Sequence, residues 1–141
     1  MMSPTGRKLF SPARIYIEEA IFSATLTTRI VAKFPHSSQE VIGDANELLR
    51  DAAMDPVKDS WRDCLLLARQ RGPFVRRCPG TREHICCLYY NLDVAAGCDL
   101  GCSYCILQGY LNNPLITIYC NVDDMYRELD EILSAPGAAF Y

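Results

Sequence analysis

Apolar positions along the chain recur with two different periods, and the changes between them mark the elements. "ARIYIE" (13–18) is a β-branched and aromatic run that predicts a short strand. Phe22, Leu26, Ile30 and Phe34 then recur at fourfold spacing up to Pro35, which predicts a helix. "EVIGD" (40–44) suits another short strand, and the polar stretch 45–59, with Pro56, suits a connection. "CLLLARQRGPFVRR" (64–77) is ambiguous. Trp61, Leu65 and Leu66 would suit a helix face, but Gly72 followed by Pro73 between two apolar runs favours a hairpin.

The stretch "HICCLYYNLDVAAGC" (84–98) alternates, with Cys86, Leu88, Tyr90, Leu92 and Val94 on one face and Ile85, Cys87, Tyr89, Asn91 and Asp93 on the other. One face is apolar and the other mixed, as expected of a strand covered by helices on one side and bordering a polar cavity on the other. An alpha/beta barrel whose chemistry lies beyond the carboxyl ends of its strands has this arrangement. "LITIYC" (115–120) predicts a second such strand, and Asn121 with Asp124 offers an N-cap and an acidic third position. Val122, Met125, Tyr126, Leu129, Ile132 and Leu133 recur at helical spacing until Pro136 and Gly137, and "AAFY" suits the opening of a further strand. The acidic run "DDMYRELDE" is expected on the outer face of its helix.

Composition narrows the setting. With 141 residues, half of them apolar, the chain is long enough for one buried core, and its net charge of −3 gives no overall attraction to nucleic acid. It has no apolar run of membrane-spanning length and no secretion signal at its start, so a cytoplasmic protein that does not enter the membrane is expected. In that reducing compartment, eight cysteines point to metal binding rather than to disulfides.

Three of the eight fall in "CDLGCSYC": Cys98, Cys102 and Cys105. Clustered thiolates are soft ligands that select zinc, copper(I) or iron–sulfur clusters. A closed zinc site or an ordinary ferredoxin cluster takes four protein ligands, so three from one loop leave a position open to a non-protein ligand. Gly97 lets the chain leave the strand sharply, and Gly101 and Ser103 let the loop wrap closely. The competing reading is a structural zinc site completed by Cys86, Cys87 or His84. Cys86 and Cys87 are strand neighbours that face opposite ways and cannot both reach one metal.

The C-x3-C-x2-C spacing, with Tyr104 just before the third cysteine, resembles the signature of radical S-adenosylmethionine enzymes. "CPGT" (78–81), "ICCLYY" (85–90), "GCDLGCSYCILQGYLNNP" (97–114) and "IYCNVDD" (118–124) together resemble the spore photoproduct lyase family and its DNA-photolyase-like relatives. The resemblance implies an α/β fold: a partial radical-SAM (β/α) barrel over 78–141, preceded by a small α/β region over 1–77. It implies a 4Fe–4S cluster on Cys98, Cys102 and Cys105, S-adenosylmethionine on the open iron, and Tyr104 beside the adenosyl part. In that superfamily one electron from the cluster cleaves the sulfonium to give a radical that abstracts hydrogen, which implies an electron-donor protein. The family's best-known members repair a thymine dimer of spore DNA in this way.

Ile106 departs from the family, whose lyases commonly have a tyrosine there that is implicated in the radical relay. A "GTGE"-like strand that helps hold the methionyl group would follow "AAFY" in the family, with the hydrogen-donor cysteine beyond it. The expectation is therefore an amino-terminal portion, not active alone, with a second chain as a candidate to complete the barrel.

Arg62, Arg69, Arg71, Arg76, Arg77 and Arg82 form a block suited to DNA phosphates, or else a solvated face. The alternative function combines these features as a small zinc-binding, nucleic-acid-interacting module. The remaining cysteines, Cys64, Cys78 and Cys120, are expected to be core residues, His36 and His84 surface groups, and Tyr89, Tyr90 and Tyr110 packing residues.

Overall fold

The computed structural model describes residues 10–55, 61–77, 89–98, 104, 113 and 115–134. The strands are β1 (Arg14–Glu18), β2 (Ser38–Ile42), β3 (Cys64–Ala68), β4 (Val75–Arg77), β5 (Tyr90–Leu92), β6 (Ala95–Ala96) and β7 (Ile116–Tyr119). The helices are α1 (Thr25–Lys33), α2 (Ala45–Met54) and α3 (Val122–Ser134). Five strands form one sheet in the order β2-β1-β3-β7-β6, and β4 and β5 form a separate two-stranded ribbon. β1, β2, β3 and β7 are parallel; β6 runs antiparallel to β7.

This order follows from connection chemistry. β1 connects to β2 on one side of itself, and β2 then crosses back to β3 on the other side. Right-handed crossovers in opposite directions put their helices on opposite faces of the sheet, and the core divides accordingly. Tyr16, Cys64, Leu66, Ala68 and Leu115 pack on one face with Ala45, Ala52, Leu48 and Leu49 of α2. Ile15, Ile17, Leu65, Leu67 and Cys120 pack on the other with Leu26, Ile30 and Val31 of α1 and Phe34 just beyond it. The central strand β3 is buried at all five positions, which explains its unbroken apolar sequence.

Several expectations change. Residues 64–77 do not form a hairpin: β3 lies between β1 and β7, and β4 pairs with β5. Gly72-Pro73 turns the chain from one sheet into the other. The supposed connection 45–59 holds α2 over its first ten residues, capped by Asp44, whose Oδ1 accepts from the Asn46 N–H at 2.7 Å. The single strand read across 84–98 is two short ones where described, and Leu92 and Val94 are 46% and 43% exposed rather than core. Phe22 precedes α1 and is exposed, as are Tyr126 and Leu133 on the stripe read for α3.

Among the described residues, no helix is long and apolar enough to cross a membrane.

Candidate metal centre

The approach to the cysteine loop runs along β7. Ala95 and Ala96 pair with Ile118 and Thr117, so the chain passes β7 from its carboxyl end toward its amino end. Gly97 then turns with φ 94°, and a Cβ at this position would lie 2.4 Å from the carbonyl oxygen of Leu115. Only a glycine fits both the left-handed backbone and that contact. The next residue is Cys98, exposed and in no disulfide. Cys98 therefore follows the carboxyl end of β6. Because β6 is antiparallel, that end lies at the amino edge of β1, β3 and β7.

Cys98 and Tyr104 are the two site candidates within the described residues. Tyr104 is 89% exposed. Cys102 and Cys105 lie outside the described residues, as do Cys78, Cys86, Cys87, His84, Arg82 and Tyr110. Among the described residues, no three His, Cys, Asp or Glu side chains converge on a point. The donor chemistry nevertheless separates the cysteines. Cys64 and Cys120 are buried in opposite core clusters, and burial pushes both thiols up, which keeps them protonated and unsuited to bind metal. Cys98 stands in solvent reach at the start of a three-thiol loop, which fits a soft-metal site.

At the opposite, carboxyl edge of the sheet the described residues hold a network of the protein's own charges. Open α/β sheets admit ligands beyond the carboxyl ends where the strand order reverses, here between β1 and β3. Glu18, 1% exposed, occupies that position. Its Oε2 accepts from the Arg69 N–H at 2.7 Å and its Oε1 from the Arg71 guanidinium at 2.6 Å. Arg71 also donates to Asp44 at 2.8 Å, and this holds the Asp44 carboxyl below the usual range. Asn121 links the same loop to α3: Oδ1 accepts from the Gln70 N–H (2.8 Å), while Nδ2 donates to the Gln70 carbonyl (3.1 Å) and Asp124 (2.8 Å). The side chain expected as an N-cap thus clasps two elements. Glu128, expected on the outer face of α3, instead accepts from the N–H groups of Phe74 and Val75 at 2.7 and 3.0 Å.

The arginines of the basic block have different partners. Arg69 donates to Asp124 at 3.1 Å, Arg71 is shared by Glu18 and Asp44, and Arg76 is held by Asp93. Arg77 instead donates to the hydroxyl of Tyr90 at 3.3 Å, with its guanidinium 5.8 Å from that ring's centroid. Arg62 also interacts within the chain. The pattern gave no hint of these partners, because Asp44, Asp93 and Asp124 are distant from the arginines in sequence.

No protein-family model and no curated protein matches the chain. Solved structures do. A tyrosine-to-phenylalanine variant of spore photoproduct lyase superposes with a TM-score of 0.69 at 23% identity. Spore photoproduct lyase complexed with dinucleoside spore photoproduct gives 0.68 at 21%. A double variant with bound AdoMet and dinucleoside spore photoproduct gives 0.70 at 24%. Each superposition covers 92% of this chain, which spans 38% of the length of those structures. The chain therefore has the mixed α/β fold, with a parallel sheet and, among the described residues, three α-helices, of the corresponding part of spore photoproduct lyase.

Proposed function

We propose that this chain is a radical S-adenosylmethionine iron–sulfur protein of the spore photoproduct lyase type, acting in the repair of a thymine lesion in DNA. The observation that carries the reading is the fold correspondence over 92% of the chain with a structure that has AdoMet bound, joined to the three-cysteine motif at Cys98.

Cys98, Cys102 and Cys105 are the residues that would hold a 4Fe–4S cluster, and Tyr104 the ring beside the adenosyl group. When bound, the cluster with its cofactor supplies one-electron cleavage and a carbon radical. The protein's part is to deliver the thiols. Gly97 sets the direction in which the loop leaves β6, and the pairing of β6 with β7 anchors that exit to the sheet. The reading requires a reducing compartment and an electron donor, and the substrate is DNA.

The test is electron paramagnetic resonance of anaerobically reconstituted, dithionite-reduced protein with and without S-adenosylmethionine. A four-iron signal that shifts on adding the cofactor is expected. Cys98→Ala should abolish it, whereas Cys64→Ala and Cys120→Ala should keep it, because those thiols lie in the core. A colourless, air-stable protein that binds zinc and unfolds on chelation would instead establish the zinc module.

A further inference from the structure

We infer that Glu128 is a positioning residue: through Phe74 it fixes the register of β6 on β7, and with it the place at which Cys98 is presented. The inference rests on the reading above for the cluster that Cys98 would hold, and adds the contact that puts the thiol in place.

β6 is too short to set its own register. Among the described residues its ladder with β7 pairs Ala95 with Ile118 and Ala96 with Thr117. Register is chosen by side-chain pattern and by turns, and two alanines carry little pattern. The bonds that extend the ladder come from residues before the strand. The Tyr119 N–H donates to the Val94 carbonyl at 3.1 Å, one pair beyond Ala95–Ile118. The Asp93 N–H donates to the Phe74 carbonyl at 2.9 Å, one pair beyond Val75–Leu92. The chain therefore passes from the ribbon to the main sheet between Asp93 and Val94, and Phe74 stands at that crossing. Phe74 is 1% exposed, and its ring meets that of Tyr119 edge to face, centroids 6.4 Å apart. Phe74, Asp93, Val94 and Tyr119 thus close a circuit of contacts.

Glu128 ties this circuit to α3. Its Oε2 accepts from the N–H groups of both Phe74 and Val75, and bonds to an ionised carboxylate are stronger than neutral ones. α3 begins at Val122, just after β7 ends at Tyr119, so Glu128 is carried by the element that continues the strand on which β6 must land. Asn121 grips the same loop at Gln70, but Gly72 and Pro73 intervene before Phe74. From Val94 the chain runs through Ala95 and Ala96 to Gly97, whose place against the Leu115 carbonyl no residue with a Cβ can take. A register slipped by one residue would put Ala96 or Cys98 there. Slippage is therefore closed, and without its anchor β6 comes off β7 and Cys98 loses its fixed start.

The experiment is amide hydrogen exchange on the metal-free full chain, followed by iron loading. Two adjacent amides report on the two sides of β7: Tyr119 bonds to Val94, and Cys120 to the Ala68 carbonyl of β3. Glu128→Ala should speed exchange at Tyr119 about ten-fold and leave Cys120 unchanged, whereas Glu128→Gln, which keeps an acceptor, should stay close to wild type. Iron per chain and the cofactor-shifted resonance signal should fall in Glu128→Ala and return in Glu128→Gln. Equal acceleration at both amides would reduce Glu128 to a general structural contact, and an unchanged Tyr119 would remove its hold on β6. Fast exchange at Tyr119 with full iron and a wild-type signal would show that this register does not place Cys98. Each of these results overturns the inference. If wild type itself binds no cluster while Glu128→Ala releases Tyr119 alone, the enzyme reading fails and the register role stands.

Discussion

Gly97 carries a constraint out of proportion to its size. Its φ of 94° and the 2.4 Å approach that a Cβ would make to the Leu115 carbonyl mean that alanine has to move β6 or β7. Strain in the left-handed region adds to overpacking against backbone, for a cost on the order of 3 kcal/mol in Gly97→Ala. Denaturant titration measures that cost, and iron per chain after reconstitution should fall with it. Unchanged stability and full iron would mean that the exit from β6 is not fixed by this residue. The sequence showed that a glycine precedes the first cysteine. It did not show that another strand's carbonyl lies against it, because that contact joins residues 18 positions apart.

Asp44 caps α2 and also binds Arg71, so one carboxylate joins a helix start to the loop after β3. Asp124 on α3 does the same through Asn121, Arg127 and Arg69. Hydrogen bonds from Arg71 and the Asn46 N–H lower the Asp44 pKa, and bonds from Asn121 and Arg127 lower that of Asp124. Both carboxyls therefore bind protons less readily when folded. Their contribution is complete above the ordinary value near 3.8 and is lost as the pH falls through the lower folded values. The urea midpoint should fall as the pH drops below about 4, less steeply in Asp44→Asn, and a midpoint that rises on acidification would contradict the assignment. Helix α2 was readable in the sequence. Ala45, Leu48, Leu49 and Ala52 follow the i, i+3, i+4, i+7 rule behind an Asp44-x-x-Glu47 box. Two small alanines and a polar surround made the stripe look like a connection.

The molecule is built around β3, which is buried at every position, while β6 and the ribbon lie at its margin. Leu66→Ala should cost about 3 kcal/mol, since Leu66 is fully buried, and Leu92→Ala less than about 0.5 kcal/mol, since Leu92 is 46% exposed. Amides of β3 should exchange slowest and those of the ribbon fastest; equal protection across both would mean that the ribbon belongs to the core. By itself the sequence determined the strands that the structure places at Arg14–Glu18 and Ile116–Tyr119 and the helix from Val122, and it set the strand at Ser38–Ile42 two residues late, because each is written in local spacing and residue type. Tertiary structure alone decided that β3 and β4 belong to different sheets, that β6 is antiparallel, and that Arg69, Arg71 and Arg76 of the basic block bind carboxylates. The physical reason is that strand pairing and ion pairing are chosen by what the folded chain brings alongside, and residues dozens of positions apart leave no mark on local periodicity.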